Sequence, residues 1–335
     1  MEGQKLLQLH NLNVSFWTER DYLHAIHDVS FDVYKGEILG IVGESGCGKS
    51  VTADAILQLH DQQTTDYEGE INFEGLDLLK QSERDLRKIR GNQISMIFQD
   101  PMSSLNPVFT VGHQIIESLR AHKKISKKEA RTRAIEILRM VGIPSPEIRI
   151  DEYPHQLSGG MRQRVMIAIA ICCEPKLIIA DEPTTALDVT IQSQILQVLK
   201  ELQTKNDMSV IMITHDLGVV AETCQRVVVM YLGQVIEVGT VQQIFDTPLH
   251  PYTKGLLQSM PNLESNPNEP LYEIEGTVPP LNSIPIGCRF ANRCPFATEE
   301  CLTKNPSLEN SNDSHQIRCW NYNEIGKKEG LYARV

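Results

Sequence analysis

Gly43-Glu44-Ser45-Gly46-Cys47-Gly48-Lys49-Ser50 is the stretch on which the fold turns. An apolar run from Glu37 to Val42 leads into it, and apolar residues at helical spacing follow from Lys49 to His60, so the order is buried strand, glycine-rich turn, helix. The stretch fits G-x-x-x-x-G-K-[ST], whose glycines let successive backbone N–H groups converge on phosphate oxygens while the helix N-terminus adds partial positive charge. Residues Gly43, Glu44, Ser45, Gly46, Cys47, Gly48, Lys49, Ser50 and Val51 are therefore expected along a triphosphate. Lys49 should reach the β- and γ-phosphates, and the Ser50 hydroxyl should ligate Mg2+. Cys47 reads as a small passive side chain within the loop.

A phosphate loop needs an acidic partner for its metal, and Leu177-Ile178-Ile179-Ala180-Asp181-Glu182 supplies an apolar strand ending in two carboxylates. Asp181 is expected to hold Mg2+ through its water shell, and Glu182 to act as general base on the attacking water. Around these motifs, Leu6 to Phe16 and Ile26 to Val33 read as strands. Leu177 to Ala180 and Val210 to Thr214 are short apolar runs separated by a helical stretch, Asp188 to Lys205, which is the pattern of a parallel sheet with crossover helices. Val227 to Tyr231 and Gln234 to Val238 read as a hairpin about Leu232-Gly233. Thr110 to Val141 and Gly159 to Cys173 are helical and form an insert, and the basic residues from Arg120 to Arg139 read as its solvated face.

Composition narrows the function. Lys plus Arg at 32 against Asp plus Glu at 43 leaves a net charge of −11, which argues against a broad footprint for nucleic-acid backbones. The longest apolar run, Val165 to Cys173, falls far short of the ~20 residues that span a bilayer. Met1 to Phe16 has no apolar signal region, so a cytosolic chain is expected. Cys288, Cys294, Cys301 and Cys319 crowd a C-terminal stretch that also holds many prolines, from Pro261 to Pro306. In a reducing compartment such a cluster suggests metal rather than disulfides. A boundary is placed near Ser259, before a loop-rich tail that needs a staple.

Leu157-Ser158-Gly159-Gly160-Met161-Arg162-Gln163, upstream of the acidic strand, closely resembles the signature motif of ATP-binding cassette (ABC) ATPases. Gln99 resembles that family's Q-loop glutamine, Ala186-Leu187-Asp188 its D-loop, and His215 its switch histidine, all in family order. The resemblance implies an α/β fold: a P-loop NTPase (RecA-like) core with an antiparallel β subdomain and a helical subdomain at about 100–172. Residues 1–258 would form the nucleotide-binding domain and 259–335 a loop-rich, metal-binding extension. It implies ATP and Mg2+ as ligands, with catalytic roles for Glu182, His215 and Gln99, and Ser50, Gln99 and Asp181 about the magnesium. Two cassettes would dimerise head to tail, so that Leu157, Ser158, Gly159, Gly160 and Met161 meet the nucleotide on the partner's loop and Asp188 lies at the D-loop. Met161 departs from the family, which most often has Gln there. Phe16 is the candidate for stacking on adenine, with Trp17 or Tyr22 as substitutes.

Phe98 to Pro107, Tyr153 to Leu157 and Pro248 to Thr253 resemble the oligopeptide and dipeptide import ATPases in particular, and nickel and metallophore importers share much of this pattern. The implied partners are a second homologous ATPase, two membrane permeases and an extracytoplasmic substrate-binding protein, with the chain at the cytoplasmic face of the membrane. A soluble cassette protein of DNA repair or translation is the more distant alternative. The spacing C-x5-C-x6-C-x17-C lacks the paired C-x-x-C knuckles of zinc ribbons, and four thiolates also suit an iron–sulfur cluster. Resemblance to the peptide-importer tail implies a 4Fe-4S cluster on Cys288, Cys294, Cys301 and Cys319, with zinc as the runner-up.

Overall fold

The computed structural model describes residues 3–19, 21–184, 188–260, 272–312 and 314–328. They fall into two compact units made of interleaved segments: Met1–Lys5, Val33–Ile38 and Lys80–Ile213 form the first, and Leu6–Asp32, Leu39–Leu79 and Thr214–Val335 the second.

In the first unit, strands Ile94–Ile97, Leu177–Asp181 and Ser209–Ile213 run parallel with Leu177–Asp181 in the middle, in registers Ile94↔Leu177 and Leu177↔Ser209. Every residue of the three is buried. Burial on both faces is why these strands read as unbroken apolar runs and not as alternation. The stretch expected to be helical from Thr110 to Val141 forms two helices, Val111–His122 and Lys127–Met140. The break has a local cause: the Ser126 hydroxyl accepts the Glu129 N–H at 3.2 Å while the Glu129 carboxylate accepts the Ser126 N–H at 2.8 Å, a reciprocal cap that starts a helix afresh. Helix Gly159–Ile171 packs against both.

In the second unit, strand Lys5–Trp17 lies between Tyr22–Tyr34 and Thr65–Phe73 in a four-stranded sheet completed by Leu76–Asp77. Lys5–Trp17 and Thr65–Phe73 are antiparallel, with a register shift between His10 and Asn13. Thr65–Phe73 has no counterpart in the sequence reading, because its acidic residues and glycine mask the alternation. Strand Ile38–Val42 runs parallel to Arg226–Tyr231, which turns back into Gln234–Thr240. That hairpin forms where expected: Leu232 and Gly233 take φ of 43° and 74°, the left-handed pair that matches strand twist in a two-residue turn. Helix Lys49–Ile56 stops short of His60. Gln58 leaves it at φ 46°, and its side-chain amide donates to the Leu78 carbonyl at 2.6 Å.

The tail has more regular structure than a mostly looped reading anticipates. His315–Ile317 adds antiparallel to Gln234–Thr240, and Glu309–Asn312 adds antiparallel to it in turn. The fully buried Glu237 carboxylate fixes this junction. It accepts N–H groups of Leu249 and His250 at 2.7 and 3.0 Å and lies 2.8 Å from His315 Nε2. Arg318, also buried, donates to the carbonyls of Val235 and Pro306 and to Asp28. The contacts of His315 with Glu237 and of Arg318 with Val235 and Asp28 join residues 78, 83 and 290 positions apart.

His250 caps helix Pro251–Gln258 by accepting the Tyr252 N–H at Nδ1, 3.0 Å away. Burial pushes its imidazole down to about 4, only partly opposed by Glu237. The folded tail therefore holds it neutral while the unfolded chain takes up a proton below about pH 6.5. This stability is complete above pH 6.5 and is lost progressively as the pH falls toward 4. The unfolding free energy of the wild type, measured in urea, should drop by about 2 kcal/mol more between pH 7 and pH 5 than that of His250→Asn, which keeps a capping acceptor without the titrating ring.

Candidate nucleotide site

The phosphate loop lies in the second unit, between strand Ile38–Val42 and helix Lys49–Ile56. Its glycines are demanded by geometry at two positions. Gly43 has φ 152°, and a Cβ there would collide with the Met230 carbonyl; Gly48 has φ 102°, and its Cβ would lie 2.7 Å from Ile26. The loop closes around Lys49, whose side chain is buried and whose Nζ donates to the carbonyls of Gly43 and Glu44 at 2.7 and 3.0 Å. Gly48 caps the helix without a side-chain acceptor, which leaves the first turn's N–H groups for an anion. Cys47 is fully buried, and burial raises its thiol although Lys49 opposes the shift. A thiol held protonated is a poor nucleophile.

Three further contacts on and beside the loop were not anticipated. The Glu44 N–H donates to Tyr252 Oη at 2.8 Å. The Glu44 carboxylate receives Arg293 Nη1 and Nη2 at 2.7 and 3.1 Å. Arg289 reaches from the same C-terminal stretch to the Leu232 carbonyl. Separations of about 200 residues or more in chain number left no local signal for the first two.

The second unit also carries the aromatic candidates and His215. Phe16 is half-buried and meets His60 edge-on at 5.0 Å. Trp17 is exposed and leans on Tyr22 at 4.4 Å, and both donate to Asp66. Phe16 and Trp17 point to opposite faces of their strand, so they cannot serve the same stacked base. His215 is exposed in the turn before helix Leu217–Thr223. The cap of that helix is Asp216, which accepts the Gly218 and Val219 N–H groups, so His215 has no capping duty.

The first unit gathers the hydrolytic and signature candidates. Asp181 ends its strand with its side chain buried. Glu182, the next residue, takes φ 45°, a left-handed conformation that costs a non-glycine residue about 1 kcal/mol and is kept only where surroundings enforce it. Two contacts enforce it: its N–H donates to the Ile213 carbonyl at 2.9 Å, and Gln99 Nε2 donates to its Oε2 at 2.9 Å. The geometry thus brings together two residues that sequence placed 83 apart and fixes the direction of one carboxylate. Ser158 caps helix Gly159–Ile171 through the Met161 N–H at 3.3 Å, with Leu157 buried beneath. A Cβ on Gly159 would meet nothing within 4 Å, whereas one on Gly160 would touch Ile191 at 3.0 Å. The first turn is therefore open on its Gly159 side. Asp188 caps helix Val189–Asn206 through the Ile191 N–H; Ala186 and Leu187 lie outside the described residues.

The expected metal-binding extension is not present as a formed metal site. Among the described residues no group of three or more His, Cys, Asp or Glu is arranged to hold a metal ion. Cys288, Cys294, Cys301 and Cys319 are free thiols. Backbone N–H groups of Phe290 and Ala291 point at Cys288, that of Phe296 at Cys294, and those of Asn321 and Tyr322 at Cys319. Burial nonetheless raises the Cys288, Cys294 and Cys319 thiols, Cys294 to about 12 and Cys319 to about 11, and the neighbouring cysteines add to the shift.

Comparison with known proteins gives the same class. The family described as ABC transporter matches residues 26–185, a span that includes the phosphate loop, Gln99, the signature and Glu182. The family described as the oligopeptide/dipeptide transporter C-terminal region matches residues 236–301. The dipeptide transport ATP-binding protein DppD of Bacillus subtilis is 54% identical over 95% of each chain. The oligopeptide transport ATP-binding protein AppD of the same organism is 51% identical over 97% of this chain and 99% of its own. Among solved structures, the ATP-binding cassette MJ0796, dimeric and bound to ADP and Pi, superposes with TM-score 0.64 at 30% identity over 70% of this chain and 99% of its own. The cbiO1 protein of Clostridium perfringens gives 0.61 at 30% identity, covering 73% and 92%. Fold and motifs define an ABC ATPase. Within that class, the chain belongs to the family of dipeptide and oligopeptide transport ATP-binding proteins.

The buried, protonated Cys47 thiol should resist alkylation by iodoacetamide in the folded protein, as mass mapping would register. Cys47→Ala, which removes the sulfur while keeping a small side chain, should retain ATP turnover within about twofold.

Proposed function

We propose that this chain binds and hydrolyses ATP to power import of di- and oligopeptides across the cell membrane. It works with a second homologous ATPase, two membrane permeases and an extracytoplasmic substrate-binding protein, as a peripheral subunit on the cytoplasmic face. Near full-length similarity to peptide-transport ATP-binding proteins supports peptides over nickel or metallophores, and no helix among the described residues is long and apolar enough to cross a membrane. Residues 1–258 are the nucleotide-binding domain, with a helical subdomain at about 100–172, and 259–335 the family-specific extension.

The observation that carries the hydrolytic reading is the Gln99–Glu182 hydrogen bond on a carboxylate held at φ 45°. In this scheme Lys49 neutralises the β- and γ-phosphates. Ser50, Gln99 and Asp181 would hold Mg2+, which would supply charge neutralisation when bound. Glu182 takes the proton of the attacking water, and His215 holds the γ-phosphate. Phe16 is the stacking candidate for adenine. Leu157 to Met161, with the open face at Gly159, receive the γ-phosphate of a nucleotide on the partner ATPase, and Asp188 lies at the dimer contact.

In the assembled transporter, Glu182→Gln should lower ATP turnover by at least about 100-fold while ATP affinity stays within about threefold. Rapid hydrolysis by that variant would remove the role given to Glu182.

We also propose that Cys288, Cys294, Cys301 and Cys319 hold a 4Fe-4S cluster, with zinc as the runner-up. Four free thiols, three of them (Cys288, Cys294 and Cys319) supplied with backbone N–H donors, are a donor set that suits such a group, since N–H to sulfur hydrogen bonds stabilise ligating thiolates. When bound, the cluster supplies cross-links that hold four turns of the extension together. Anaerobic purification should give broad absorbance near ~400 nm with about four irons and four sulfides per chain. Stoichiometric zinc, or no metal, would overturn the assignment.

A further inference from the structure

We propose that Arg293 and Tyr252 are positioning residues that set the phosphate loop for nucleotide through a single residue, Glu44; the inference rests on reading that loop as the ATP site. Glu44 is held at three points. Its N–H donates to Tyr252 Oη at 2.8 Å, its carbonyl accepts from Lys49 Nζ at 3.0 Å, and its carboxylate takes both terminal nitrogens of Arg293 at 2.7 and 3.1 Å.

The loop needs an external hold. Gly46 has positive φ and open space where a side chain would lie, so the loop around it is not fixed by side-chain packing of its own. Arg293 is suited to the task because it is itself immobile. Its side chain is only 5% exposed, against 30% for Glu44. It donates through Nε to the Glu275 carbonyl at 3.0 Å and through Nη2 to the Ile274 carbonyl at 3.2 Å. An ordinary surface pair of this kind contributes little. A bidentate pair on an anchored guanidinium instead fixes direction as well as distance.

Tyr252 is equally fixed. It is fully buried in a cluster with Tyr231 and Phe290, ring centroids 4.8 and 5.5 Å away. Phe290 and Arg293 sit together between Cys288 and Cys294. The loop that holds phosphate is thereby oriented by helix Pro251–Gln258 and the C-terminal extension together, and nucleotide meets a loop already ordered, which lowers the entropic cost of binding.

The test measures equilibrium binding of a fluorescent ATP analogue to the full chain, and kcat and KM for ATP in the assembled transporter. Arg293→Gln and Glu44→Ala should each raise the analogue's Kd and the KM by about tenfold, with kcat at saturating ATP within about twofold. The double variant should lose no more than either single change, because both remove one coupling. Arg293→Lys should fall between, since lysine keeps the charge without the fork, and Tyr252→Phe should weaken binding by about threefold. Unchanged affinity in Arg293→Gln, beside a wild type that binds normally, would overturn the inference, and so would additive losses in the double variant. Failure of the wild type itself to bind the analogue would instead strike the ATP-site reading. If Arg293→Gln does not fold, the partly exposed Glu44→Ala carries the same affinity test alone.

Discussion

The side chain of Lys49 is almost fully buried, and its ammonium is satisfied by carbonyls of its own loop. A buried charge must be hydrogen-bonded or it is costly, so the loop has to wrap the lysine, and it does so only because glycine stands where φ is positive. Strand, loop and helix around it follow from that requirement. The strand brings the chain in buried on every residue, the loop turns carbonyls onto the ammonium, and the helix begins with its N–H groups unspent.

The first unit solves a different problem, that of holding a carboxylate in a conformation it does not favour. Glu182 sits at φ 45° directly after a strand with every residue buried. The strand fixes its N–H, and Gln99 fixes its side chain. Strain of this kind at the end of a rigid element aims a reactive group more narrowly than a relaxed loop would. The signature helix uses the opposite device: a relaxed Ser158 cap and an open face at Gly159.

The C-terminal stretch departs most from its reading as loop. Its cysteines do not form a single-ion site among the described residues, while the arginines beside them, Arg289, Arg293 and Arg318, each reach a partner in an earlier segment of the same unit. Cysteine spacing drew attention to the sulfurs. The charged neighbours, which no motif marked, make the long-range contacts.

The sequence by itself determined what depends on adjacent residues: the glycine loop and its lysine, the apolar parallel strands, the caps of Ser158 and Asp188, and the Leu232-Gly233 hairpin. In each, the interacting groups are a few residues apart, so residue type and spacing suffice. Tertiary structure decided what depends on residues brought together from far along the chain. Strand Thr65–Phe73 exists because Lys5–Trp17 pairs with it, the tail strands because Gln234–Thr240 offers an edge and Glu237 a buried acceptor. Glu44 acquires its hold from Tyr252 and Arg293 for the same reason. No local pattern encodes such pairs, because their free energy arises only once the fold has removed both partners from water.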